Sequence, residues 1–240
     1  MPARYAVLFE PRAIRTHSAI AFRRDGRAAH AEVWRTLPDG SAALCVVAQD
    51  RPGLLSAIAA TLVSHRLDVI TALVFSRVLE SGEAEAVDLL WVRRSRSTDD
   101  APIDADEATS ISEVLGAVLA GRIAVAEIAH QAGVYDELGD KSVVVRFDDR
   151  DEDGHAVLLV DTTDRPALLL TITFAVFQQG AEIVRSLVRT AGKRVWNRFV
   201  LAEFGGATLS PERRTQIRSA VVSALALGTT EIQRQPPAHG

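Results

Sequence analysis

Apolar and polar positions along the chain alternate between a period of two and a period near 3.6, and the alternation occurs twice. Residues 42–48 and 156–161 are short apolar runs that end at an Asp-Arg-Pro turn. Proline fixes φ and cannot donate to a strand ladder, so each strand must stop there. Proline is tolerated in the first turn of a helix, and a helical stripe follows each time. The stripes are Leu54, Leu55, Ile58 and Leu62 in one stretch and Leu168, Leu169, Ile172 and Val176 in the other. Two β-rich runs come next, 69–79 and 84–93 around Ser81-Gly82, then 183–190 and 194–203 around Ala191-Gly192-Lys193; such short glycine-containing gaps predict hairpins. A second helix closes each set. One carries Ile111, Val114, Leu115, Val118 and Leu119, with Gly121 past its end. The other starts at Ser210-Pro211, buries Ile217, Val221, Ala224 and Leu225, and stops at Gly228.

The two sets are copies. DGSAALCVVAQDRPGLLSAIAATLVSHRLDVITALVFS, from Asp39 to Ser76, aligns without a gap with DGHAVLLVDTTDRPALLLTITFAVFQQGAEIVRSLVRT, from Asp153 to Thr190, at a constant offset of 114. Strand–helix–strand–strand–helix needs one more strand to make a βαββαβ unit. Residues 143–147 are the best candidate for the first unit, yet they can equally pair within the second; an equivalent strand, 30–36, precedes the first copy, and 231–234 is short. Outside the repeat, 10–24 predicts a helix with Ile14, His17, Ser18 and Ala21 on one side. Residues 95–106 read as a polar loop, 121–140 as a bridge with a helical stretch at 123–130, and 233–240 as a frayed tail. The expected organisation is an N-terminal helix and strand extension (1–36), a first unit (37–121), a linker (122–142), a second unit (143–230) and a tail (231–240).

Composition narrows the function classes. The chain of 240 residues is 48% hydrophobic, enough for two modest cores or for one large one. Its net charge is −4, and 27 Lys and Arg are scattered among 31 acids with no basic tract, which disfavours nucleic acid. The single Cys45 sits in an apolar run and cannot form an internal disulfide. No apolar run reaches the roughly 18 residues of a membrane span, and the first residues lack a secretory pattern, so a cytoplasmic setting without a membrane is expected. The histidines are solitary, with no metal-ligand spacing. Neither a metal, a cofactor nor a catalytic pair is expected. The run Asp148–Asp153 lacks calcium-loop spacing and reads as a solvated turn, while Trp34, Trp91 and Trp196 read as core or interface packing.

The repeated Asp-Arg-Pro-Gly/Ala-Leu-Leu after an apolar strand resembles the signature of ACT domains, and Ala86-Val87-Asp88-Leu89-Leu90 and Val195-Trp196-Asn197-Arg198-Phe199 resemble that family's third strand. With Tyr5, Pro11 and His17 ahead of the two units, the chain also resembles the C-terminal region of the uridylyltransferase/uridylyl-removing family that modifies the nitrogen-regulatory PII protein. It departs from that family's catalytic parts: no Asp-x-Asp follows Gly40-Ser41, and no His-Asp dipeptide occurs. The resemblance implies an α+β fold of two ferredoxin-like βαββαβ (ACT) units, with antiparallel sheets and helices packed on one face.

Chemistry is expected at the strand-to-helix corners. A helix N-terminus offers amides and partial positive charge to a carboxylate. Asp50 can receive an ammonium group or simply cap the helix, and Gly53 lets a ligand approach the backbone. The candidate ligand-binding residues are Asp50, Arg51, Gly53, Leu54 and Leu55 in the first copy and Asp164, Ala167 and Leu168 in the second. Ala167 adds a methyl where Gly53 has none, so the first corner is expected to be the better site. The reading is a non-enzymatic regulatory protein binding a small amino acid, with glutamine as the resemblance's first candidate. The rival reading is a module that makes a homodimer or holds a regulated protein partner and binds no metabolite.

Overall fold

The computed structural model describes residues 3–95, 102–131, 142–148, 151 and 153–227. The expected short strand 231–234, the helix stop at Gly228 and the tail lie outside them. The elements are α1 (Ala3–Leu8), α2 (Pro11–Arg23), β1 (Ala29–Thr36), β2 (Ala42–Gln49), α3 (Leu54–Ser64), β3 (Leu67–Leu73), β4 (Ser76–Val78), β5 (Ala84–Arg94), α4 (Ala105–Leu119) and α5 (Val125–Gln131). They continue with β6 (Val144–Asp148), β7 (Ala156–Thr163), α6 (Leu168–Gln178), β8 (Ala181–Ala191), β9 (Arg194–Glu203) and α7 (Pro211–Leu227).

All described strands lie in one antiparallel sheet of order β1-β2-β5-β3-β8-β9-β7-β6, with β4 paired to β5. Each half is the expected ferredoxin-like α+β unit. Its outer strand, however, comes from in front, so the chain order is ββαββα. β1 pairs with β2, and β6 pairs with β7 rather than with the first unit. The physical reason is loop length. A tight turn closes β1 onto β2, with Leu37 donating to Ser41 at 2.9 Å; Asp151 donates to His155 at 3.0 Å between β6 and β7. Closing such a hairpin costs less chain entropy than bringing back a strand across a helix.

Strand parity explains the layering. Ala42, Leu44, Val46 and Ala48 face the core shared with α3, α4, α6 and α7, while Cys45, Val47, Val87 and Leu89 face a second cluster containing Tyr5 and Ile20. β2 is therefore buried on both faces. At the positions equivalent to Cys45, Val47, Val87 and Leu89, the second half carries Leu159, Asp161, Trp196 and Arg198. Trp196 is 46% exposed there, so it is not a core residue, and the exposed ring lines a shallow hollow of about 240 Å³.

Local corrections have local causes. The run 69–79 divides into β3 and β4, because β3 pairs on both sides while β4 pairs only with β5. α4 starts at Ala105, inside the expected loop, because Asp104 caps it by accepting from the Glu107 amide at 2.9 Å. Ser210 caps α7 as expected, accepting from the Arg213 amide at 3.2 Å. The short α1 was not foreseen. Its Tyr5 is fully buried and lies 2.5 Å from His17 Nδ1 through its hydroxyl, with the Trp34 ring edge-on to the imidazole at 4.3 Å.

Burial lowers the His17 pKa to about 4, below the ~6.5 of an unfolded histidine. Between those values the unfolded chain binds the extra proton, so stability is lost as pH falls from 6.5 toward 4. Urea melts across that window should lose roughly 1.4 kcal/mol per pH unit from this group. His17→Phe should flatten that part of the profile; an unchanged slope in the variant would refute the assignment.

Candidate ligand site

At the first corner the chain leaves β2 at Asp50, turns through Pro52 and Gly53, and enters α3. Gly53 has φ 81°, the left-handed region that glycine adopts without Cβ strain, and no side chain caps the helix. Asp50 is thus not an N-cap, and Pro52 precedes the helix instead of opening it. Arg51 reaches away, its guanidinium donating to the Leu119 carbonyl at the end of α4. Arg165 does the same to Leu225 of α7 at 3.1 Å. Both arginines sit at helix C-termini, where the dipole favours a cation, so Arg51 serves the fold. Leu54 and Leu55 are buried.

A cavity of about 400 Å³ opens between this corner and the second half. It is lined by Asp50, Gly53, Ser56 and Asp88 on one side and by Thr173, Phe177 and Glu182 on the other. This is within the size range of small-ligand sites. The structure also corrects the expectation that Gly53 simply leaves room for a ligand. A Cβ built there would lie 2.8 Å from the Phe177 ring, so the missing side chain seats that ring. Phe177 is 37% exposed and packs beside Phe204 at 5.7 Å, forming a wall at the cavity mouth.

The second corner has the same path and a different outcome. Ala167 also adopts a left-handed conformation, φ 52°, which costs a non-glycine residue of order 1 kcal/mol. The space lined by Asp164, Ala167 and Leu168 is about 20 Å³, little more than one water requires. Asp164 is held by Arg93 at 2.5 Å.

Electrostatics separate the corners further. Asp88 lies mid-strand in β5, opposite Val46, and faces the helices. It is 1% exposed, and neither carboxylate oxygen makes a hydrogen bond. Burial first, then the charge of Asp50, raises its pKa well above the carboxylate range, against a small opposing effect of the Phe75 backbone. Ser56 Oγ is also buried without a partner. Glu182 is raised too, by burial and then by Asp50. In the second half the place of Asp88, opposite Val160, is taken by Asn197, whose amide donates to the Val160 carbonyl at 3.4 Å. The place of Arg93, opposite Asp68, is taken by Ala202, opposite Glu182. The first corner therefore collects carboxylates without the arginine that neutralises the second.

Sequence reasoning missed Ser56, Asp88, Thr173, Phe177 and Glu182. Asp88 carried a signal: an acid at helix-facing parity inside Ala86–Val92, an otherwise apolar run. Phe177 and Glu182 carried none, because only the docking of the halves brings them to this corner. In the acidic turn Asp148 and Asp153 are exposed, as a solvated turn requires, and among the described residues Asp151 departs from that expectation. Asp151 is nearly buried, accepts from the His155 amide at 2.7 Å, and with Asp153 is ion-paired to Arg185. Asp151, Asp153 and His155 are close enough to share a cation, and the Arg185 guanidinium already pairs with both carboxylates.

Fold and cavity define a protein of two fused ferredoxin-like units whose junction encloses a cavity of about 400 Å³. No family model matches the chain. It is similar to bifunctional uridylyltransferase/uridylyl-removing enzymes: 27% identical to that of Nitrobacter winogradskyi, over 88% of this chain and 22% of the relative. Against that of Rhodopseudomonas palustris it is 28% identical, over 77% of this chain and 20% of the relative. The chain thus spans about a fifth of the length of these relatives. Aspartate kinase from Synechocystis aligns over 82% of this chain and 41% of its own, at 11% identity and a TM-score of 0.25, too low to carry any argument.

Replacing Asp88 removes the penalty of a buried acid without a partner. Asp88→Asn should stabilise the free protein by roughly 1–3 kcal/mol. The gain should widen as pH rises, because a raised native pKa means the wild type loses stability upward in pH. Thermal melts at two pH values test this, and a destabilised variant at both would contradict the cavity's electrostatics.

Proposed function

We propose that this chain is a regulatory, non-enzymatic pair of ACT-type units that senses a small amino acid at the Asp50–Leu55 corner, in the control of nitrogen or amino-acid metabolism. The single observation that carries the reading is the 400 Å³ cavity between the halves, bounded by an uncapped helix N-terminus and by buried carboxylates. The first-turn amides of α3 suit an α-carboxylate; Asp50 and its acidic neighbours suit an ammonium group. Because loops of one half and α6 and β8 of the other share the cavity, a ligand there biases their relative orientation, which is the differential contact that allostery requires. Similarity to uridylyltransferase/uridylyl-removing enzymes supports a role in nitrogen signalling and makes glutamine the first ligand to try. The second corner, at about 20 Å³, is the weaker or silent one.

A second reading has one observation in its favour. The outer face of the second half presents Trp196 and the hollow beside Leu159 and Leu187, where the first half is covered by α1 and α2. That face suits a second copy or a regulated protein. No described helix is long and apolar enough to cross a membrane.

Isothermal titration with the twenty amino acids is the test of sensing. Glutamine is expected to give heat, with micromolar to millimolar affinity, and a folded protein silent toward all twenty would end the proposal. Gly53→Val should weaken binding by at least about tenfold, a loss of roughly 1.4 kcal/mol, through both strain and displacement of Phe177. Ala167→Val should leave it within about twofold. Gel filtration with and without ligand separates the readings, since a ligand-indifferent dimer would favour the interaction module.

A further inference from the structure

We propose that Asp88, together with Ser56, is the receptor for the ligand's ammonium group on the cavity floor, and that Asp50 and Glu182 turn away ligands carrying a second negative charge. The inference rests on the amino-acid reading of the same cavity and specifies how the ligand is recognised.

Two buried acceptors without partners stand on this floor, the Asp88 carboxylate and Ser56 Oγ. A buried polar group left unsatisfied costs stability, and the repeat provides an internal control for that cost. At the structurally equivalent position the closed corner carries Asn197, which is neutral and bonded to its own strand neighbour. The open corner carries an acid whose oxygens make no hydrogen bond of good geometry, the Phe75 backbone offering it only a small favourable effect. An ammonium group has three donors and no acceptor, so it can satisfy both acceptors at once. The charged groups facing this space are Asp50, Glu182 and Arg51, with His155 acting on Glu182. Arg51 keeps its positive charge while donating to the Leu119 carbonyl, and against that single cation Asp50 and Glu182 leave the field at the floor negative on balance. A neutral side-chain amide can enter such a field, whereas a side-chain carboxylate is repelled. The site therefore distinguishes glutamine from glutamate by charge, at nearly equal size.

Proton coupling follows. Burial, with the charge of Asp50 beside it, favours the protonated form of Asp88 in the free protein. An arriving ammonium favours the carboxylate, and the proton leaves to solvent. Affinity should rise with pH until Asp88 is ionised in the free protein or the ligand amine loses its charge.

The experiment is isothermal titration of the whole chain with glutamine, glutamate and putrescine, in two buffers of different ionisation enthalpy. Glutamine should release up to one proton near neutral pH, and glutamate should bind roughly ten- to a hundredfold more weakly. Asp88→Asn should lose the proton release and roughly the same factor in affinity while remaining folded by thermal melt. Ser56→Ala should weaken binding and leave the proton count unchanged. Glutamine binding with no proton release, or equally well to Asp88→Asn, overturns this assignment and leaves amino-acid sensing standing. Proton-coupled binding of putrescine without any amino acid supports the ammonium receptor and overturns the amino-acid reading. Silence toward all three overturns both.

Discussion

Three residue pairs, Thr71 with Arg189, Ala72 with Val188 and Leu73 with Leu187, join a five-stranded half (β1–β5) and a four-stranded half (β6–β9) into a continuous sheet. β3 and β8 would otherwise be edge strands with unpaired amides and carbonyls. Pairing them antiparallel aligns the equivalent strands of a duplicated sequence about a pseudo-twofold, and it stacks α3 on α6 above the seam. The cavity is a consequence of this seam. The corner after β2 gains its second wall, Thr173, Phe177 and Glu182, only because β8 lies next to β3.

Duplication created two such corners, and subsequent differences at a few positions made them physically unlike. Gly53 gives way to Ala167, Asp88 to Asn197, and Arg93 to Ala202 across the pseudo-twofold. One corner is filled, with its aspartate tied to a guanidinium. The other is open, and its floor keeps an acid and a hydroxyl in want of donors. A buried polar group left without a partner costs stability, and in the free protein that cost falls on Asp88. The outer face shows the same divergence: apolar and sealed by α1 and α2 in the first half, mixed and open around Trp196 in the second.

Much of the fold was legible because it is written in local chemistry. Periods of two and 3.6, the Asp-Arg-Pro stops, the glycine hairpins and the Ser210 cap each act over a few residues, and the strands and helices they predict are present. The origin of the outer strands was harder to read. Both β1 and β6 offered the same apolar alternation, and only the short turns to β2 and β7 decided their partners. The site was half legible. Asp50 and Gly53 were visible from the repeat, although their roles changed: Asp50 caps nothing, Gly53 seats an aromatic ring, and Arg51 holds a helix end.

The sequence by itself determined that two copies of one strand–helix grammar exist, where each corner turns, and that the copies differ at Gly53/Ala167. It determined these things because backbone conformation and amphipathic burial depend on neighbouring residues. Tertiary structure alone decided that β3 meets β8, that Phe177 and Glu182 close a space over Asp88, and that one corner stays open while the other fills. Those outcomes depend on volume and charge from residues about a hundred positions apart in the chain, and no local pattern encodes the distance between them.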